Sequence, residues 1–212
     1  MSSAAFRLSL FGSVLALAGI GSSCNLDPVH RASVNSLGPE AEELYPPESE
    51  FHRPGEPCVL CHSSKGPASS EFVLGGTVFW GPENYENRVD RAYVRIKDAR
   101  KVPLCFVTNC NGNFFVRPED FRGMTFPLLV SVERAVEPGR DEKTLVIRRM
   151  SGHIGREGSC ATCHIQGIRD FGSPGQIRLF DTEQQFRDAK INLPPCPPEE
   201  EQFPLACPEL RE

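Results

Sequence analysis

Between residues 92 and 97, apolar Ala92, Val94 and Ile96 alternate with Tyr93, Arg95 and Lys97, and from 128 to 133 Leu128, Val130 and Val132 alternate with Leu129, Ser131 and Glu133. Alternation of period two marks a strand with one buried face, because successive side chains project to opposite sides of the pleat. Segments 72–80, 104–108, 113–116 and 144–149, rich in β-branched and aromatic residues and bounded by Gly, Pro or Asn, read as four more strands. Asn111-Gly112 predicts a type I′ hairpin turn joining 104–108 to 113–116, since that turn needs positive φ at both central positions. So many short strands between 72 and 149 predict a mainly β fold built on a small antiparallel β-sandwich. Helical periodicity is scarce: a short turn at 58–62, another at 160–164, and 182–190, with Asp181 as its candidate N-cap.

Outside this region the apolar rhythm disappears. Residues 24–50 are polar, with the acidic string Glu40-Ala41-Glu42-Glu43 and the pair Pro46-Pro47, and read as a flexible tether. Residues 191–212 hold Pro194-Pro195-Cys196-Pro197-Pro198 and then Glu199-Glu200-Glu201, an irregular Pro-rich tail. The N-terminus differs again: Arg7 precedes an apolar run at 8–20, too short to span a bilayer and right for the core of a signal peptide over 1–23. Gly21-Ser22-Ser23-Cys24 resembles the lipobox of bacterial lipoproteins, departing from it at Gly21, where an aliphatic residue is usual. The resemblance implies cleavage before Cys24, a lipid on its thiol, and a body held to a membrane.

Charge narrows the partners. The full chain of 212 residues carries a net charge of −5, and without 1–23 it has 22 Lys and Arg against 28 Asp and Glu, net −6. An acidic body argues against nucleic acid as a ligand.

The strongest chemistry lies in two copies of one string, Cys58-Val59-Leu60-Cys61-His62 and Cys160-Ala161-Thr162-Cys163-His164. In Cys-x-x-Cys-His, two thiols add across the vinyl groups of a haem and the adjacent imidazole becomes the proximal ligand of its iron. By chance the string is expected on the order of 0.01 times in a chain of this composition. A zinc site of four thiolates or a pair of redox dithiols would also use paired Cys, but neither requires His after the second Cys both times. The expected cofactors are therefore two covalently bound haem c groups. Haem attachment belongs outside the cytoplasm, in agreement with the export signal, so the expected location is the periplasm or the outer-membrane surface. Of 9 Cys, four serve haem and Cys24 serves lipid, leaving Cys105, Cys110, Cys196 and Cys207 for disulfides in an oxidising space. The nearest-neighbour pairing is 105 with 110 and 196 with 207, one of three arrangements.

Gly75-Gly76-Thr77-Val78-Phe79, the run 92–99 and Thr108-Asn109-Cys110-Asn111-Gly112-Asn113-Phe114 resemble the carboxypeptidase-regulatory-like, or transthyretin-like, β-sandwich. The whole layout is similar to a group of exported bacterial cytochromes in which such a sandwich is inserted between two haem-binding segments. That resemblance implies a first haem-binding segment at 51–70, the sandwich at 71–149 as a structural or binding module, and a second haem-binding segment at 150–190.

The iron's sixth ligand decides between electron transfer and chemistry on small molecules. His52 lies six residues before Cys58 and His153 seven before Cys160, near enough along the chain to wrap round a haem edge. Met150 competes with His153 at the second site, and in the cytochromes resembled a Met commonly stands there. His30 and Met124 are the other available side chains. Arg148, Arg149 and Arg156 are near the second motif and suit haem propionates. With both sixth positions filled, the expected function is a dihaem electron carrier between redox partner proteins, not an enzyme. The competing expectations are a haem enzyme with one open site, of peroxidase or nitrogen-oxide type, and a surface lipoprotein that binds through the sandwich.

Overall fold

The computed structural model describes residues 27–39, 49–81, 88–136, 145–165, 172–189, 191 and 207. The signal segment 1–23, Cys24, Cys196 and most of the Pro-rich tail lie outside the described residues. Seven strands form two sheets: β1 (Leu74–Phe79), β2 (Tyr93–Lys97), β3 (Pro103–Val107), β4 (Asn113–Val116), β5 (Leu129–Ala135), β6 (Leu145–Arg149) and β7 (Ile177–Arg178). One sheet has the order β4-β1-β7 and the other β3-β2-β5-β6. All pairs are antiparallel except β1 with β7. The fold is thus the mainly β sandwich that the alternation predicts.

The core lies between the sheets. Leu74 and Val78 of β1, Phe114 and Val116 of β4, Val94 and Ile96 of β2 and Val132 of β5 form one buried cluster with Leu128 and Leu179. In β2 and β5 the apolar positions are the ones that alternation assigns to the inner face. β1 has no such alternation, because all six of its residues are buried. Its outer face is covered by the chain before and through the first motif. Gly55 N–H donates to Thr77 Oγ1 (2.7 Å), Thr77 donates to Asn113 Oδ1 (2.7 Å), and Asn111 Nδ2 donates to the Phe51 carbonyl (2.6 Å). A strand buried on both faces reads as a continuous small and apolar run, as Leu-Gly-Gly-Thr-Val-Phe does.

Four expectations need correction. The turn at 111–112 is not a type I′ hairpin: β3 pairs with β2 and β4 with β1, so the chain crosses between sheets there. Gly112 N–H closes a turn onto the Asn109 carbonyl (2.9 Å), centred on Cys110-Asn111, and the Asn109 side chain accepts from the N–H groups of Asn111 and Asn113 (3.0 Å each). Gly112 keeps a positive φ of +75°, with no room for a Cβ 2.5 Å from the Val78 carbonyl oxygen.

The disulfide pairing is also different. Cys105 bonds Cys207, a link across 102 residues, and Cys110 is disulfide-bonded as well. Leu104 and Phe106 pack on the core, so Cys105 between them faces outward on β3, where residue 207 meets it.

Within the expected tether, α1 (Pro28–Ser36) is a helix of nine residues. It has no fully buried residue, and its half-buried His30, Ser33 and Val34 give no apolar period, but Asp27 caps it by accepting from the N–H groups of Val29 and His30 (3.1 Å each), and Pro28 opens it. The expected helix at 182–190 is shorter: α3 (Glu183–Asp188), capped by Thr182 in a reciprocal box with Gln185 and not by Asp181. Asp181 instead pairs with Arg148 (2.9 Å). A further helix among the described residues, α2 (Cys58–Cys61), lies within the first motif itself.

Candidate functional site

Each Cys-x-x-Cys-His string forms one tight turn at the mouth of a cleft. In α2, His62 N–H bonds the Cys58 carbonyl (2.9 Å), which places both thiols and the imidazole on one short loop. Gly66 lets the chain fold back beneath the turn, since a Cβ there would lie 1.9 Å from the Cys61 carbonyl oxygen. In the second copy, a 3₁₀ turn over Cys160–Thr162, His164 N–H bonds the Cys160 carbonyl (2.8 Å).

The first cleft, about 220 Å³, is lined by His52, Cys58, Cys61 and His62 with Phe72, Phe114 and Phe115, and by Arg53 and Arg117. His62 stacks on Phe72 (ring centres 4.1 Å), which stacks on Phe115 (4.6 Å) on the outer side of β4. His62 Nδ1 lies 3.0 Å from the Ser70 carbonyl oxygen. The Ser70 hydroxyl lies at the same distance (3.0 Å) and can donate or accept, whereas the carbonyl only accepts, so an Nδ1 bonded to the carbonyl carries the proton and leaves Nε2 its lone pair. His52 is anchored in the same way, Nδ1 to the Ser49 carbonyl, and its ring centre is 5.6 Å from that of His62. Burial holds the His62 pKa below the usual imidazole range, an effect that the Ser70 carbonyl opposes, and keeps the ring neutral as a ligand must be.

The second cleft, about 280 Å³, opens between the sheets. Its walls include Val130 and Val132 of β5, Arg148 and Arg149 of β6, Met150, His153, Ile177 and Arg178 of β7, with Cys160, Cys163 and His164 at the mouth. His164 Nδ1 lies 2.8 Å from the Gly175 carbonyl oxygen, again leaving Nε2 free of the proton. Met150 is half-buried, its N–H bonded to the Val130 carbonyl (3.0 Å), whereas His153 is exposed.

Both motifs lean on the same two residues. The Cβ position of Gly75 is 3.1 Å from Cys58 Cβ and 3.4 Å from its Sγ, and that of Gly76 is 2.7 Å from Cys160 Cβ and 2.9 Å from its Sγ. Neighbouring strand residues face opposite ways, so Cys58 sits on the outer face of β1 and Cys160 on the inner. Phe114 lines both clefts.

The sequence candidates thus assemble into two groups: Cys58, Cys61 and His62 with His52, and Cys160, Cys163 and His164 with Met150 and His153. Met124 is packed in the core, and neither it nor His30 or Arg156 lines these clefts. Sequence reading overlooked the carbonyls of Ser70 and Gly175, which have no side-chain signature, and the role of Gly75-Gly76, visible only as a strand with no bulk at its centre.

The four motif thiols are free and do not pair as disulfides. Burial pushes the Cys58 thiol up to about 11 and Cys160 up to about 12, and it raises Cys61 as well. A redox dithiol needs its pKa lowered, so the dithiol reading has no support in this environment. Among the described residues no three His, Cys, Asp or Glu side chains converge to cage a metal ion by themselves. Each cleft instead offers two thiols, an oriented imidazole, an apolar wall and nearby guanidinium groups. Comparison with known proteins finds no matching family model, no matching curated protein and no matching solved structure.

Proposed function

We propose that the chain is a dihaem c-type cytochrome, an extracytoplasmic carrier of single electrons. The observation that carries this reading is the repeated arrangement of the motif imidazole: in both clefts the residue after the second Cys bonds a backbone carbonyl through Nδ1, at Ser70 and at Gly175, and retains Nε2 for a metal. Such a second bond fixes tautomer and ring orientation and makes the ring a stronger ligand. The residues fit the group: Cys58 with Cys61 and Cys160 with Cys163 supply thiols for two thioethers each, and His62 and His164 supply the proximal nitrogen. When bound, a haem supplies Fe(III)/Fe(II) cycling at a potential set by its axial ligands and surroundings.

The other residues orient and enclose. His52, which lines the first cleft with its ring centre 5.6 Å from that of His62, would be the second side chain to hold the group there. In the second cleft Met150 would be the second side chain to hold the group, because its backbone is already fixed to β5 and it is half-buried, so ordering it costs less entropy than ordering exposed His153. Phe72, Phe114 and Phe115 exclude water on the first side, as Val130, Val132 and Ile177 do on the second. Arg117 in one cleft and Arg149 in the other complement propionate charge; Arg53 is held by Glu56 (2.7 Å) and the Gly38 carbonyl (2.7 Å), and Arg148 by the Leu179 carbonyl (2.6 Å) and Asp181. Filled sixth positions favour electron transfer over substrate binding. Held by two His at the first site and by His with Met at the second, the groups would differ in potential, the second being the higher.

Cys24 as a lipid anchor and redox proteins as partners complete the proposal. It is tested by exporting the chain together with a haem-maturation system and measuring intact mass and visible and near-infrared spectra. The expected result is a mass gain of two haems and a low-spin spectrum. No gain in mass refutes the reading, and a high-spin component that binds carbon monoxide points to the open-site enzyme instead.

A further inference from the structure

On the haem reading above, we infer that Gly75-Gly76 is the shared wall of the two sites, a pair of positioning residues that bring the haems together as one magnetically and electronically coupled unit. Cys58 reaches the Gly75 position on one face of β1 and Cys160 reaches Gly76 on the other, with their sulfurs 3.4 and 2.9 Å from where the Cβ atoms would stand. Consecutive Cα atoms are 3.80 Å apart, so the two sulfurs are no more than roughly 13 Å from one another. Each macrocycle edge begins two bonds beyond its sulfur. What separates the sites is therefore a single strand without side chains at the crossing point.

The surroundings reinforce the contact. β1 is held by β4 on one edge and by β7 and the Gly75–Ser159 bridge on the other, so it cannot move away from either motif alone. Gly75 N–H donates to the Gly158 carbonyl (2.9 Å), two residues before Cys160. Phe114, next to Gly76 across the β1–β4 ladder, contributes a wall to both clefts. An ordinary structural strand would carry β-branched residues at its buried centre; here bulk is missing only where both thiols approach. Transfer of one electron between the sites oxidises one iron and reduces the other, with no bond or proton changed.

The test is electron paramagnetic resonance of the exported holoprotein, whose two-haem content is first verified by intact mass. Low-spin Fe(II) is diamagnetic, so half-reduction removes the partner spin without any mutation. Coupling predicts that the ferric signal of the fully oxidised protein is harder to saturate with microwave power than the signal left after half-reduction. With two haems attached, identical saturation in both states overturns the shared wall and leaves the cytochrome reading intact. Absence of haem mass overturns both. Gly76→Ala, whose methyl would stand 2.7 Å from Cys160 Cβ, is expected to shift the second site's spectrum while the first is retained, and Gly75→Ala, at 3.1 Å, to shift the first site's by less. Unchanged spectra in both variants, with folding verified by circular dichroism, would also overturn the inference. If a variant does not fold, the half-reduction comparison decides.

Discussion

Gly158 offers a quantitative test of how the second motif is fixed to the sandwich. A Cβ added there would lie 1.9 Å from the Val73 carbonyl oxygen, 2.9 Å from its carbon and 3.4 Å from Leu74 Cα. All three atoms are backbone at the start of β1, so no side chain can rotate aside, and the chain must move by about 1 Å or more to reach ordinary contact. Overpacking of this kind costs about 1–3 kcal/mol. The displacement also strains the bond from Gly75 N–H to the Gly158 carbonyl (2.9 Å), which contributes about 1 kcal/mol. Gly158→Ala is therefore expected to destabilise the protein by about 2–4 kcal/mol. At roughly 2–4 °C per kcal/mol for a chain of this size, the melting temperature falls by about 5–15 °C. Gly155→Ala, three residues earlier with nothing within 4 Å of the new Cβ, is the control and should stay within about 0.5 kcal/mol. Thermal unfolding followed by far-ultraviolet circular dichroism measures both. Equal melting temperatures for the two variants would refute the claim that β1 and the second motif are in backbone contact at this point.

Cys207→Ser opens a loop of 102 residues and is expected to cost up to about 4.7 kcal/mol, read from guanidinium unfolding of oxidised protein; a change below about 1 kcal/mol would show that the link does not constrain the unfolded chain. His52→Ala should leave haem mass unchanged but turn half of the low-spin signal high-spin with carbon monoxide binding, whereas a fully low-spin variant removes His52 as a ligand. Met150→Ala should abolish a near-infrared methionine-to-iron band that His153→Ala leaves in place, and the reverse pattern would assign His153 to the second site. At Asp98 burial pushes the carboxyl up, but the N–H groups of Val102, Thr125 and Arg100 outweigh it and hold the pKa below the usual range. A pKa lowered on folding stabilises the protein above the unfolded value near 3.9 and loses that contribution as pH falls through the folded value. Asp98→Asn should accordingly be less stable than wild type at neutral pH, with the gap closing on acidification; a gap independent of pH would refute this.

What was legible in the sequence follows from how local its cause is. The alternation at 92–97 and 128–133 needs only one buried face, and β2 and β5 lie where it puts them. Which strand pairs with which is a long-range matter, and there local chemistry misled. Asn111-Gly112 has the residues that a hairpin's positive φ values call for, yet only Gly112 takes one, and β4 pairs with β1 while β3 pairs with β2 in the other sheet, so the same glycine serves a corner between sheets. Cys105 and Cys110 are neighbours along the chain but not in direction, because Leu104 and Phe106 must turn inward and Cys105 must then turn outward. α1 escaped notice for the opposite reason. It buries no residue fully, and its half-buried face of His30, Ser33 and Val34 is mostly polar, so the sequence shows no apolar period there, although Asp27-Pro28 states its beginning plainly.

At the candidate site the motif residues were legible because their chemistry demands specific side chains at fixed spacing, and the groups that position them were not. A carbonyl that anchors His62 or His164 belongs to whatever residue the loop brings there, Ser70 in one case and Gly175 in the other, and backbone atoms impose no spelling. The glycine pair is the intermediate case. Two glycines in a buried central strand forgo the packing that Val or Ile would give at each position, and they enlarge the entropy lost on folding by about 0.5–1 kcal/mol apiece relative to Ala. Some approach from both sides has to justify that cost, and Cys58 and Cys160 are what approach. A sequence carrying only one of the motifs would have reason to keep one glycine and fill the other; with both motifs resting on one strand, neither position has room for a side chain.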